Sequence, residues 1–531
     1  MSSPAAADLG ERAAALAARD LPLALAVLRE AIRLPEDFTE RAPEAGGDPD
    51  CGINNHEGPR LDHLRRAALE MGAAAAPGGA GDPGGGSGPG GPALDDFGNL
   101  AWSLEDPGDG VPRAEKRVVV FDGHADTVRA LRERWLGALG GGLDPYRGLT
   151  DPDRVDWAAL ERELGGLPPG AARQHLLFGR GSADQLGGVV AQMLAMRILR
   201  ELLPAGALRG VVVRCHITAA EEENEGGGPA WIARREWPGG APERLPDCVV
   251  LTEPSGHLEH GPLRIARGQR GRMQIEVTVT GQPAHGSMPH LGRNPLEHGG
   301  AILAEAAARA ARGEGFLTDS FVGPGTRTAT WASLETPSDC AVPSRFVFRL
   351  DRRLTIGETA EQGLAEVEAL ESVRAARAAG LGVALRVPTY DDPTWRGVVP
   401  GNRMVYPGWA TPEDHPGVRA AVAAYRDTVG RRAAAGYEGG RLRAEPRLDS
   451  WRFSTDGVGY AVPAGETAPA VAARKAWVTS GAVRHPAIVG FGPGVEQHAH
   501  TTGECVDTRE IALVAAFLAR FPRAFAAAAG L

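Results

Sequence analysis

The stretch VVVFDGHADTV, residues 118–128, decides the fold. Its first four residues are apolar without alternation, the pattern of a strand buried on both faces, and polar and glycine residues follow at once. The same pattern recurs at VVV (211–213), VVL (249–251) and AIVGF (487–491). Between the first two runs lies GGVVAQMLAMRILRELL (187–203), whose apolar residues fall at helical spacing. Strands alternating with helices predict an open α/β sheet with helices on both sides, and such sheets bind ligands beyond the carboxyl ends of their strands.

On the amino-terminal side, residues 8–34 keep Leu9, Ala13, Leu16, Leu21, Leu25, Leu28 and Ile32 on one helical face, with a break expected near Leu21-Pro22. Residues 72–92, GAAAAPGGAGDPGGGSGPGGP, have no periodicity and read as a surface loop without chemistry. Between about 266 and 405 the texture changes. MQIEVTVTG (273–281) and SRFVFRLDRRL (344–354) alternate like strands with one wet face, and helical patterns follow at about 295–312 and 358–378. This predicts an α+β domain, 266–405, inserted between the two parts of an α/β domain, 1–265 and 406–531. The second part should hold a helix at 415–429, the strand near 487–491 and a closing helix at 507–526.

At 531 residues, with 43% hydrophobic and 23% charged, the chain is globular and too long for one small module. Lys plus Arg number 57 against 67 Asp plus Glu, a net charge of −10 that argues against a nucleic-acid partner. The reading finds no basic, apolar leader and no apolar run near the ~18 residues of a membrane span, so no membrane role is expected. Five scattered cysteines without a CxxC pair fit packing positions in a reducing compartment, and a cytoplasmic location follows.

Residues able to bind metal recur at the ends of successive strands. FDGHADTV (121–128) carries His124 and Asp126; GRGSADQLGG (179–188) presents Asp184 before a helix; TAAEEENE (218–225) ends a strand with a run of carboxylates; LTEPS (251–255) ends another on Glu253; FGPGVEQHAH (491–500) ends on His498 and His500. Singly each has a structural explanation: a helix N-cap for Asp184, a solvated loop for the glutamate run. Their repetition at one end of the sheet is what points to a site. Histidines with several carboxylates and no thiolate suit zinc, manganese or cobalt, and the surplus of carboxylates suits a bridged pair of ions. In the Glu221-Glu222 doublet one carboxylate can bind metal while its neighbour serves as general base.

The order HAD, GRGSADQLGG, EE, TEP and AH, with a domain inserted between the last two, closely resembles the di-zinc aminoacylase and carboxypeptidase family, which includes acetylornithine deacetylase, succinyl-diaminopimelate desuccinylase and glutamate carboxypeptidase. The likeness spans about 95–525. RGQRGRMQIEV (267–277), AHGSMPHLGRNPLE (284–297), LDRRLTIGE (350–358) and WRFSTDGV (451–458) look most like its selenium-metabolism-linked hydrolase branch. The resemblance implies a zinc-peptidase-like α/β catalytic domain whose inserted α+β domain is a lid and dimerisation unit. It implies one zinc on His124, Asp184 and Glu253 and a second on Glu222, His500 and the bridging Asp184. Asp126 would orient His124, Glu221 would be the general base, and a cis peptide would join Asp184 to Gln185. His285 would reach the partner subunit's site in a homodimer, and Asn294 and Arg353, or Arg352 in its place, would contact substrate.

Departures from the family pattern are visible. Ala220 stands where the family has Asp; three consecutive glutamates leave a register with Glu222 as base and Glu223 as ligand; His498 competes with His500; and 138–170 reads as an insertion near the cleft mouth. The expected activity is hydrolysis of an amide bond in an N-acyl amino acid or small peptide, by water activated at two zinc ions (cobalt or manganese as alternatives) with Glu221 as base. A carbamoyl-amide hydrolase and a non-catalytic metal-binding relative are the alternative readings.

Overall fold

The computed structural model describes residues 4–39, 47–48, 50–73, 91–139, 143–148, 151–168, 172–236, 245–435, 442–465 and 475–531. Residues 74–90 of the expected glycine-rich loop lie outside that set. In chain order the principal elements are helices α1 (Pro4–Thr39) and α2 (Gly58–Glu70), strands β1 (Leu100–Glu105) and β2 (Arg117–His124), helix α3 (Leu186–Glu201), and strands β3 (Val211–Thr218), β4 (Cys248–Gly256) and β5 (Ile265–Gln269). There follow β6 (Gly271–Thr280), α4 (Pro295–Ala311), β7 (Thr326–Glu335), β8 (Arg345–Leu354), α5 (Ala360–Glu368), α6 (Glu371–Ala378) and β9 (Gly382–Arg386). Helix α7 (Pro416–Tyr425), β10 (Ala487–Val495) and α8 (Thr508–Ala528) complete the set.

The large sheet runs β1-β3-β2-β4-β10-β5, with β3, β2, β4 and β10 parallel and β1 and β5 antiparallel at its flanks. The unbroken VVVF run is explained by the two cores. Val119 and Phe121 pack among α1, α3, α7 and α8, whereas Val118 and Val120 face Tyr406, Trp409, Trp451 and Tyr460 on the other side. Each such side chain removed from water contributes roughly 1.5–3 kcal/mol, so neither face tolerates a polar residue cheaply.

Two local expectations are corrected. Helix α1 is continuous through Pro22, because Pro22 lies on its exposed side while Ala13, Ala17, Ala24, Leu28 and Ile32 are locked in the core; burial offsets the lost backbone bond. The 358–378 pattern is two helices, since Leu370 is extended (φ −64°, ψ 142°) between α5 and α6. In addition, α8 is long and apolar enough by composition to cross a membrane, which the sequence reading passed over; its apolar window is 78% buried against α1, α3 and α7, as a core helix.

Only Arg270 separates β5, in the large sheet, from β6, in the smaller one. The smaller sheet is antiparallel in the order β7-β8-β6-β9, and α4, α5 and α6 cover one face with a core of its own built on Ile275, Val277, Ile302, Phe348, Val367 and Val373. Its outermost strand, β7, is almost wholly exposed.

Candidate metal centre

Because β2, β3, β4 and β10 are parallel, their carboxyl ends converge on one edge. His124 is the last residue of β2 and is 1% exposed. Asp126, two residues on, accepts the backbone N–H groups of Glu221 and Glu222, each at 3.1 Å, and its own carbonyl lies 3.0 Å from His124 Nδ1. Asp126 therefore fixes the glutamate turn as well as the imidazole. That turn is entered through Ala220 at φ +60°, a left-handed backbone costly for a side-chain-bearing residue and held in place by these bonds.

Asp184 sits on the loop before α3. Glu504 anchors that loop, accepting from the Ala183 and Asp184 N–H groups at 2.9 and 3.0 Å and from Arg180 Nη1 at 2.5 Å. The Asp184-Gln185 peptide is cis. Gly188 permits the approach of α3 to β4, for a Cβ there would fall 2.1 Å from the Thr252 carbonyl oxygen. The Asp184 carboxylate thereby lies between two imidazoles: Oδ1 is 3.1 Å from His124 Nε2, and Oδ2 is 3.3 Å from His500 Nε2. Glu221 Oε2 and Glu253 Oε1 are each 3.7 Å from His124 Nε2, and Glu222 Oε2 is 2.8 Å from His500 Nε2.

The electrostatics are those of a crowded acidic site. Burial would depress His124, but Glu221, Asp126, Asp184 and Glu253 outweigh it and hold the imidazole well above its ordinary pKa. His500 is pushed up to about 11, chiefly by Glu222. Burial raises Glu221 and Glu253, and Asp184, although buried, is lowered by the two histidines. Glu221 Oε1 is buried without a hydrogen-bond partner. Four carboxylates and two imidazoles facing one another, with such an orphaned oxygen among them, fit a pair of divalent cations in charge and in donor type.

The remaining sequence candidates lie elsewhere. His498 is buried with Nε2 2.9 Å from the Gly166 carbonyl, inside the 138–170 segment, whose helix Trp157–Leu164 shares a small core with Trp135, Phe178 and Cys505. Among the described residues Glu223 pairs with neither histidine; burial and Asp392 raise its carboxyl. His285 is exposed, with Nδ1 2.7 Å from Ser287 Oγ. Asn294 caps α4, accepting from Leu296 N at 3.0 Å, and Arg353 donates to Asp351 at 2.8 Å. Arg352 is fully buried between Glu358 and Glu366, each 2.7 Å away, so it is a structural residue inside the smaller domain.

The sequence reading missed the layer behind these candidate ligands. Tyr460 OH donates to Asp122, Thr218 Oγ1 donates to Asp456, and burial pushes Asp456 up to about 6. A signal existed: Asp122 interrupts an otherwise apolar strand, and a charge placed there must have partners.

Comparison with known proteins agrees with this architecture. Residues 267–377 match the peptidase dimerisation domain of the M20 family. Over 411 residues the chain is 31% identical to the uncharacterized protein YgeY of Escherichia coli K12, covering 76% of this chain and 80% of that protein. It is 32% identical over 221 residues to succinyl-diaminopimelate desuccinylase of Rhodospirillum centenum, covering 40% of this chain and 53% of that one. Among solved structures, the dipeptidase Dug1p of Saccharomyces cerevisiae aligns at TM-score 0.58 with 11% identity over 97% of this chain and 98% of that one. Human carnosine dipeptidase 1 aligns at 0.56 with 17% identity over 98% and 100%.

Fold and relatives together define a metal-dependent amidohydrolase. The chain belongs to the M20 family of metallopeptidases and deacylases.

Proposed function

We propose that this chain hydrolyses the amide bond of an N-acyl amino acid or small peptide. The observation that carries the reading is the Asp184 carboxylate lying 3.1 Å from His124 and 3.3 Å from His500, the placement of a ligand shared by two ions. His124, Asp184 and Glu253 would hold one ion, and Asp184, Glu222 and His500 the other, zinc being the first choice for this donor set and cobalt or manganese the alternatives. When bound, the pair supplies the Lewis acidity that activates water and polarises the scissile carbonyl.

The chain's own residues do the rest. Glu221, with one oxygen unpartnered and its pKa raised by burial, takes the proton of the attacking water as the new carbon–oxygen bond forms. It returns that proton to the departing nitrogen as the carbon–nitrogen bond breaks, giving an acid and an amine. Asp126 keeps Glu221 in register through the backbone bond at 3.1 Å. Arg353 and Asn294 are proposed substrate contacts on the lid, residues 266–405. We place the enzyme in the cytoplasm, a reading supported by five cysteines of which none forms a disulfide. The test is a panel of N-acyl amino acids, dipeptides and carbamoyl amino acids offered to metal-reconstituted protein. Hydrolysis of an N-acyl amino acid or dipeptide, abolished by a chelator, is expected; cleavage of carbamoyl compounds alone, or of nothing, overturns the reading.

We further propose a homodimer in which His285 acts on the partner's site. Its support is the match to a dimerisation domain, the exposed outer strand β7 with Trp331 48% exposed, and the exposure of His285, whose ring meets Ser287 and none of the candidate ligands among the described residues. A two-fold pairing is the commonest way to bury such a strand, and one oxyanion donor contributes roughly 3–4 kcal/mol to acyl transfer. Mixing inactive Glu221→Gln with inactive His285→Ala protein should restore part of the activity, because a mixed dimer holds one site with both groups. No recovery after proven subunit exchange would confine His285 to its own chain or to no role.

A further inference from the structure

His500 stands on an unfavourable backbone. Its side chain is 52% exposed, so packing does not hold the ring against Asp184 and Glu222. Its φ is +61°, and Ala499 before it has φ −54° and ψ 139°. With the Thr501 N–H donating to the His498 carbonyl at 3.3 Å, residues 498–501 form a type II turn that has His500 at its third position. That position favours glycine or asparagine, and a histidine there relaxes to negative φ unless its surroundings forbid it.

The restraint lies at His498, the first residue of the turn. Its ring is fully buried and Nε2 donates to the Gly166 carbonyl at 2.9 Å, while the His498 carbonyl also accepts from Thr501 Oγ1 at 2.7 Å. The Thr501 carbonyl in turn accepts from Arg180, which anchors the Asp184 loop through Glu504. Just upstream, Glu496 accepts from Arg264 at 2.8 Å and the Gln497 side chain from the Leu258 N–H at 3.3 Å. Gly166 belongs to the 138–170 segment, where the helix Trp157–Leu164 ends at Gly165 with φ +69°. The same helix packs just beyond the turn, for a Cβ on Gly503 would fall 2.4 Å from Leu160 Cδ1. The inserted segment therefore grips the His500 turn at its start and past its end.

We propose that His498 is a positioning residue for the ion assigned to Glu222 and His500: its bond to the 138–170 segment locks the turn that aims His500 at Asp184 and Glu222. Among the described residues its ring meets none of the candidate ligands, so it acts through His500 alone. The inference rests on the two-ion reading of the centre and deepens it. Without the lock the His500 ring swings away and that ion loosens, whereas the ion on His124, Asp184 and Glu253 keeps its ligands.

The test is titration of metal-free protein with zinc, read by calorimetry for the number and affinity of ions, with the visible spectrum of cobalt-loaded protein as a second readout. The wild type is expected to take two ions. His498→Phe keeps a ring without a donor, and should bind one ion as the wild type does and the other about 10–100-fold more weakly, the usual cost of losing an outer partner of a metal ligand. His498→Gln can still donate to Gly166 and should restore both the affinity and the cobalt spectrum. A residue that only stabilised the fold would lower the melting temperature and leave the ratio of the two affinities unchanged. Glu222→Gln is the control for the reading itself, since it removes a proposed ligand of the same ion. If Glu222→Gln weakens that ion and His498→Phe does not, or if His498→Phe weakens both ions alike, the proposal falls and the two-ion reading stands. If the wild type takes no second ion, or Glu222→Gln leaves it untouched, the assignment of that ion falls and the proposal with it. Should His498→Phe fail to fold by circular dichroism, Leu160→Ala carries the same test from the other side of the contact: the ion near His500 alone must weaken.

Discussion

Asp184→Ala is expected to empty both metal positions, whereas Glu253→Ala and Glu222→Ala each empty one. The asymmetry follows from geometry: the two oxygens of Asp184 serve two imidazoles, while Glu253 approaches His124 and Glu222 approaches His500. Turnover in Asp184→Ala should fall by roughly 10³-fold or more, the scale of the several kcal/mol that metal ions contribute to such reactions. Elemental analysis decides the matter: two equivalents in the wild type, near none in Asp184→Ala, about one in the others. Fully active wild-type protein with only trace metal would sink the assignment. The proton balance gives a second readout. Without a cation the carboxylates hold His500 up to about 11 and His124 well above its usual value, so the empty site favours protonated imidazole. A cation must displace those protons, so metal uptake at pH 7 should release protons, and affinity should weaken as the pH is lowered.

Glu221→Gln should lower turnover by about 10²–10⁴-fold while keeping both ions, since the amide preserves size and hydrogen bonding but cannot take a proton. Glu222→Gln should instead weaken the ion near His500, because Glu222 Oε2 is the oxygen 2.8 Å from that ring. The pair of variants separates the two registers of the glutamate run. If Glu221→Gln loses metal and Glu222→Gln keeps it, base and ligand exchange places.

Much of this was legible from residues that serve two masters. VVVF announces its strand because both of its faces are buried, and the polar run after it announces an edge where ligands meet. What could not be read locally was decided by distant partners. Arg352 and Arg353 are neighbours in sequence, but only packing against α5 shows that Arg352 is engaged by Glu358 and Glu366. His498 and His500 are two residues apart, and a left-handed turn at His500, φ +61°, sends one ring to the Asp184 carboxylate while the other bonds Gly166. Pro22 predicted a break on composition alone, and tertiary burial overrode it. The Arg180-Glu504 anchor of the Asp184 loop joins residues 324 positions apart, a contact no window of sequence contains.

Strand β10, the last of the large sheet in chain order, lies in its interior between β4 and β5. A ribosome releasing this polypeptide therefore exposes β4 with an unfilled flank until residues beyond 487 emerge, and only then come His500 and Glu504. From residue 253 onward the nascent chain carries every proposed ligand except His500. The position that needs His500 is therefore the last to be completed, and insertion of β10 beside β4 is a late, non-local pairing of the kind that folds slowly.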